Sequence, residues 1–369
     1  MSLGIYIHVP FCLKKCPYCD FYSVKYQSEL CEKYVDALCR NILKYKNMNL
    51  SADTVYFGGG TPSLLTAGQI ERILLTCNNA FAVNDPEITL EANPCSVDLK
   101  KLKDYKLAGV NRISFGVQSA DNNQLKFLGR LHDFEKAEIV VSNALNAGFQ
   151  NISCDIMLGL AGQNLNSMCQ TIEKITAFPV NHISAYMLKI EPSTPFDCDK
   201  IKMSVADEEL QCDMYLKAVS LLEEKGFEQY EISNFAKAEC YSKHNLKYWK
   251  GEEYLGFGPA SHSFYNNKRF FVPKDIESFV NNTYQEEKIL EKSVDRLEEY
   301  IMLSLRLKWG INKDEIIKLG GNVFADKLIK KAQLYEKYGL CKVREDNILL
   351  LPKGFLVSNS IIAEFVDGD

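Results

Sequence analysis

No uninterrupted apolar run in this chain reaches the length a membrane-crossing helix needs, so an integral helical membrane protein is not expected. The start of the chain lacks a basic stretch followed by a long apolar core. MSLGIYIHVPFC reads straight into a strand, and no secretory leader is expected. Net positive charge is missing too. With 43 Lys and Arg against 48 Asp and Glu, the formal net charge is −5, which gives no general attraction to nucleic acid or to an anionic membrane surface. Neither the GK[ST] of a P-loop nor the GxGxxG of a dinucleotide fold is present. A disulfide framework is not expected either, because 369 residues at 46% hydrophobic content can bury one large core, or one large and one small. Thirteen cysteines with little paired spacing point instead to a reducing compartment, the cytoplasm.

Three of those cysteines are spaced for chemistry. In Cys12-Leu-Lys-Lys-Cys16-Pro-Tyr-Cys19, three thiolates lie within eight residues. Such a set can hold a cubic iron–sulfur cluster by three of its irons and leave the fourth iron open. Ferredoxin clusters and structural zinc sites are closed by four ligands. Here Asp20, Phe21 and Tyr22 follow, and no fourth cysteine is near. A zinc site completed by His8 is the competing reading. The other ten cysteines read as small buried apolar residues or idle thiols.

Short β-rich runs recur with helical patterns between them. Strands are expected near 3–9, 53–57, 87–92, 111–116, 151–157 and 181–187, and helices over 28–46, 66–82, 97–107, 133–147 and 165–177. Ser96 or Asp98 would cap the third helix, and Gly109 and Gly148 sit where helices would end. The alternation predicts an α/β fold with a parallel sheet: a partial (β/α)6 TIM-like barrel, with its site at the C-terminal strand ends. A doubly wound open sheet has the same local pattern. A helix over 205–225 ends at Gly226, and 228–290 reads as irregular. An amphipathic helix from 294, helices at 312–319 and 322–338, and two short strands around Asp346-Asn347 suggest a mostly helical, winged-helix-like C-terminal domain. It has no basic recognition helix, so DNA binding is not expected. The expected domains are 1–230, a connection over 231–290, and 291–369.

Gly58-Gly59-Gly60-Thr61-Pro62 directly follows the second strand, where glycines allow close backbone approach and free amides can grip an anion. Glu91, Gln118 and Asp155 stand near the ends of otherwise apolar strands, and an unpaired carboxylate there is costly without a partner or a polar ligand. Pairing within the barrel is the alternative, and Arg130 alone would read as a surface residue. Together these groups suit a ligand carrying an amino group, a carboxylate and a ribose.

The ordered set Tyr6-Ile-His-Val-Pro-Phe-Cys12-x3-Cys16-x-Tyr18-Cys19, GGGTP, LEANP, FGVQS, LGR and DIMLGL resembles the radical S-adenosylmethionine (SAM) proteins. The nearest group is that of oxygen-independent coproporphyrinogen III oxidase, and the likeness spans essentially the whole chain. The resemblance implies that Cys12, Cys16 and Cys19 ligate a [4Fe–4S] cluster whose free iron chelates SAM, with Tyr6 and Tyr18 flanking it. It implies that Gly59, Gly60 and Thr61 meet the amino acid part of SAM, and that Glu91, Gln118, Arg130 and Asp155 complete the pocket. True oxidases resemble a CxxxCxxCxC pattern; this chain has Phe21 at the extra cysteine, and it carries His244-Asn245-Leu-Lys-Tyr248-Trp249. Both features resemble the haem-chaperone (HemW) branch.

That branch implies haem as a third cofactor, haem-accepting proteins as partners, and peripheral membrane contact where those acceptors are respiratory. His244 is then the candidate haem contact, with Tyr248 and Trp249 as flat neighbours, His262 as a weaker second and Cys240 available for covalent attachment. A structural hydrogen-bond corner is the alternative for His244. The alternative function is the oxidase itself, decarboxylating coproporphyrinogen III to protoporphyrinogen IX. The cluster and the SAM pocket serve both readings equally, so they leave open whether the chain is an enzyme.

Overall fold

The structure is a computed structural model that describes residues 2–283, 288–291 and 294–367. Six parallel strands form its centre: β1 (Leu3–Val9), β2 (Ser51–Gly59), β3 (Ala82–Ala92), β4 (Arg112–Gln118), β5 (Asn151–Leu158) and β6 (His182–Met187). They neighbour one another strictly in chain order. A doubly wound sheet reverses its order at a switch point. No reversal occurs here, and the sheet ends in open edges rather than closing, which is the partial barrel expected from the sequence.

The crossovers are α1 (Ser28–Leu43), α2 (Ala67–Ala80), α3 (Leu99–Leu107), α4 (Phe134–Asn146) and α5 (Leu165–Thr176), with α6 (Glu208–Glu224) following β6. Their starts are written locally. Thr66 and Gln69 form a reciprocal capping box ahead of α2, and the Asp98 carboxylate, not Ser96, accepts the Lys101 amide at the start of α3. Gly109 and Gly148 end α3 and α4 at φ of 108° and 92°.

Side-chain alternation along the strands sets the two layers. Ile5, Ile7, Val55, Phe57, Leu90, Ile113, Phe115, Ile152, Cys154 and Ile183 are fully buried in the main core on the helix side. The alternate positions carry Tyr6, His8, Thr54, Tyr56, Glu91, Arg112, Ser114, Asp155, His182 and Ser184. Strands covered on both faces normally read as continuous apolar runs. A polar inner face is therefore the mark of a chamber.

The stretch 231–290, read as irregular, needs correction. It contains β7 (Asn234–Ala236), α7 (Lys243–Trp249), β8 (Tyr254–Phe257), β9 (His262–Tyr265) and β10 (Lys268–Phe271), and β11 (Lys288–Glu291) follows. β7 extends one sheet edge beside β6. β8 pairs in parallel with β1, β9 to β11 continue antiparallel, and the two-residue strand Glu228–Gln229 lies beyond β7, giving twelve strands among the described residues. Each of these added strands has at most four residues, too few for periodicity to register. Asn266 and Asn267, both at positive φ, make the two-residue turn between β9 and β10.

The C-terminal region contains α8 (Arg296–Ser304) and α9 (Lys313–Lys337), which breaks at Gly321 (φ 79°) between the two helices expected there. β12 (Cys341–Val343), β13 (Asn347–Leu350) and the short strand Ile311–Asn312 form a three-stranded antiparallel wing. Among the described residues, no helix is long and apolar enough to cross a membrane.

Candidate functional site

A cavity of about 410 Å³ opens at the C-terminal strand ends. Its wall gathers Cys12, Cys16, Cys19, Tyr18, Gly59, Gly60, Thr61, Glu91, Gln118, Arg130 and Asp155, eleven of the residues singled out from the sequence. Tyr6 and His244 are not part of this wall.

The cysteines ride on the loop that leaves β1. Phe11–Cys12 pairs with Val24–Lys25 to close the loop at its base, the Cys19 amide donates to the Cys16 carbonyl at 3.1 Å, and the Phe196 amide holds the Pro17 carbonyl. Thr61 Oγ1 lies 3.5 Å from Cys12 Sγ, and Arg130 Nη1 lies 3.9 Å from Cys16 Sγ. Phe21 stands 66% exposed at the cavity rim. His8 is not available as a fourth ligand. Its Nε2 is 3.0 Å from the Tyr22 carbonyl and its Nδ1 is 3.2 Å from the Tyr6 hydroxyl.

Gly59 and Gly60 stand in the cavity wall, and their lack of side chains also lets the turn pack closely. A Cβ on Gly59, at φ 106°, would fall 2.6 Å from the His8 ring, and one on Gly60 would fall 2.7 Å from the Phe11 carbonyl. The glycines let the turn pack against the cysteine loop. The Gly60 amide donates to Val9 O, and the Gly59 amide favours the charged form of Glu91.

The same wall carries two carboxylates. Burial pushes Glu91 up to about 7, helped by Asp155 and opposed by the hydroxyl of Tyr56, which donates to Glu91 Oε1 at 2.8 Å. Burial also raises Asp155, against hydrogen bonds from Ser184 and Ser114. The Arg130 guanidinium donates to the Gly116 carbonyl, and its Nε is buried with no partner. A Cβ on Gly116 would fall 2.9 Å from the Gln118 amide nitrogen and 3.0 Å from Arg130. Gln118 itself holds a left-handed backbone (φ 72°), a strained conformation for a residue with a side chain and one that clusters at functional sites.

His244 requires a correction. It is the second residue of α7, which lies against the N-terminal strand ends, and it is 1% exposed. Thr54 Oγ1 is 2.8 Å from its Nδ1 and the Tyr248 hydroxyl 2.7 Å from its Nε2, so both ring nitrogens are committed. Burial holds it near 3, and the ring is neutral. As placed it is a hydrogen-bonded corner rather than a haem ligand. Tyr248 is spent on that corner, Trp249 lies under the Arg306 guanidinium, His262 stacks on Phe271 and Cys240 packs near Tyr230. Tyr6 sits one layer above His244, stacked on it and on Tyr56.

Residues 6–175 match the radical SAM superfamily, and residues 293–357 match the HemN C-terminal domain. The chain is 32% identical to the haem chaperone HemW of Bacillus subtilis (strain 168) over 98% of both chains. It is 33% identical to HemW of Escherichia coli (strain K12) over 86% of each. This chain belongs to the HemW family of radical SAM proteins. Among solved structures, coproporphyrinogen III oxidase (HemN) from Escherichia coli, a radical SAM enzyme, superposes with a TM-score of 0.84 at 22% identity, covering 99% of this chain and 90% of that one. That likeness establishes the shared fold.

The wall fits the cofactors that membership implies. Three thiols around one cavity suit a [4Fe–4S] cluster, and facing carboxylates with an arginine whose Nε lacks a partner suit a zwitterion such as SAM. Sequence reasoning missed Tyr56, Ser114, Ser184 and Tyr186. The signal for Ser114, Ser184 and Tyr186 was the every-second-residue polarity of their strands, visible in RISFGVQ and HISAYM, whereas Tyr56 had none.

Proposed function

We propose that this chain is a haem chaperone: it binds a [4Fe–4S] cluster, SAM and haem, and passes haem to acceptor proteins. Cys12, Cys16 and Cys19 hold the cluster, which supplies an iron with an open position. Glu91 and Asp155 meet the cationic part of SAM, Arg130 meets its carboxylate, and Gln118, Thr61 and Tyr18 line the remainder. Gly59 and Gly60 contribute by shaping the turn. Residues 1–230 form the cofactor-binding core, 231–290 add its floor and edge strands, and 291–369 form the C-terminal domain. The work is done in the cytoplasm, with peripheral membrane contact where the acceptor is a respiratory protein.

The observation that carries this reading is Phe21 at the cavity rim, in the place of the oxidase branch's extra cysteine, within a chain similar end to end to haem chaperones. The test is a titration of anaerobically reconstituted protein with haem, followed by absorbance. Saturable binding is expected. Binding no greater than that of an unrelated protein would overturn the reading, and brisk protoporphyrinogen formation from coproporphyrinogen III would favour the oxidase.

A further inference from the structure

The HNLKYW helix and the cofactor cavity lie at opposite ends of one lumen, and a single file of side chains joins them. His244 is clamped between Thr54 and Tyr248, 2.8 and 2.7 Å from its two ring nitrogens. Its ring lies nearly parallel to Tyr56, with centroids 5.1 Å apart and planes inclined at 27°. Tyr6 closes the stack, 6.2 Å from Tyr56 and 6.3 Å from His244. The Tyr56 hydroxyl then reaches up to Glu91 Oε1 at 2.8 Å, and Glu91 forms part of the cavity wall.

On one side, the strand of Tyr56 offers its ring no side chain to rest on. The position two residues on is Gly58, where a Cβ would fall 3.0 Å from the rings of both Tyr56 and Tyr6. The two phenols are free to lie flat because Gly58 presents no side chain above them. His244 forms the surface beneath.

We propose that His244 is a positioning residue for the SAM cavity: it fixes the Tyr56 ring, and Tyr56 in turn holds the Glu91 carboxylate against the ligand. The inference rests on the SAM reading of the cavity and adds a distant control to it. It gives the HNLKYW segment a role at the cofactor site without contact to any cofactor.

Glu91 is faced by Tyr56, Tyr6, Tyr186, Asp155, Arg112 and the Gly59 amide, with Tyr248 beyond the stack. Of these, the Tyr56 hydroxyl donates to it at 2.8 Å, and this bond and the Gly59 amide both favour its charged form. Losing the Tyr56 bond must therefore move Glu91 titration upward and weaken its grip on a cation. His244 is neutral throughout this range, so its effect comes through placement rather than charge.

The test is SAM binding by calorimetry on anaerobically reconstituted protein across neutral pH, for the wild type, Tyr56→Phe, His244→Gln, His244→Ala and the Tyr56→Phe/His244→Ala double variant. Tyr56→Phe is expected to weaken binding about tenfold and to shift the pH midpoint upward. His244→Ala is expected to do the same from outside the cavity, His244→Gln to recover part of the loss, and the double variant to be no weaker than the worse single one. Thermal melts run in parallel. If His244→Ala does not fold, the Tyr56→Phe and His244→Gln pair carries the same comparison. Wild-type affinity and pH midpoint in the folded His244 variants would overturn the proposal, as would additive losses in the double variant. Loss of haem binding with SAM binding intact would overturn it in favour of a haem contact. A wild type that binds no SAM brings down the SAM reading itself, an outcome the wild-type arm separates from the others.

Discussion

Glu91 holds its carboxyl in a chamber that disfavours charge, and the cost has a definite pH signature. Its value in the folded chain, about 7, lies above the ordinary carboxylate range. At low pH both folded and unfolded chains hold the proton and nothing is lost. As pH rises toward 7 the unfolded chain ionises first, so the stability of the cluster-free protein falls through this window and the full cost is present above it. Glu91→Gln removes that cost. The variant is expected to match the wild type in acid and to exceed it above neutrality by up to about 3 kcal/mol, in urea unfolding of the cluster-free protein at two pH values. A wild type that gains on the variant as pH rises would contradict this. At the same scale, Glu91 and Asp155 were legible in the sequence because a carboxylate in an apolar strand needs a reason. Tyr56 was not, because a tyrosine between Val55 and Phe57 reads as one more apolar strand residue until its hydroxyl is seen on Glu91.

Among the elements, α7 has the most distinctive attachment. Lys247 reaches from it to Asp53 and Glu252 at 2.9 Å each, and donates to the Ser2 carbonyl at 2.9 Å. These contacts pin the helix to the ends of β1 and β2. Lys247→Met keeps the stem and removes the charge. Because Asp53 and Glu252 remain partly in water, the expected loss is about 1–2 kcal/mol rather than that of a fully buried pair. Faster hydrogen exchange is expected over Lys243–Trp249, with that of β4 and β5 unchanged; uniform acceleration across the sheet would contradict a local anchor. The six central strands and their crossovers were legible because each is long enough to show periodicity and several helices have a readable cap. β8 to β10 were not. They gain their place by pairing beside β1 and by the Asn266-Asn267 turn, and tertiary pairing of this kind leaves little mark on a four-residue segment.

At the level of the whole molecule, sequential strand order produces one lumen with different ends. Thiols, carboxylates and an arginine occupy the open end, and α7 closes the other. The C-terminal region is tied to the core through the Glu231–Leu307 bridge and the Lys308–Glu228 ion pair. Strand–helix alternation alone did not decide between a barrel and a doubly wound sheet, because it is common to both. The cysteine spacing was legible because three ligands to one cluster must lie close together along a loop. Cys12→Ser is therefore expected to lose most cluster iron while leaving the far-ultraviolet dichroism unchanged, since the residue sits on a loop outside the main core. Full iron content in the variant would show that the cluster is held elsewhere.

The central claim is that this lumen serves haem delivery. Its most direct test offers anaerobically reconstituted, haem-loaded protein to an apo-haemoprotein acceptor and follows haem in each, beside a parallel incubation with coproporphyrinogen III. The account predicts transfer of haem to the acceptor and no accumulation of protoporphyrinogen. Steady protoporphyrinogen formation by a protein that neither retains nor transfers haem would contradict it.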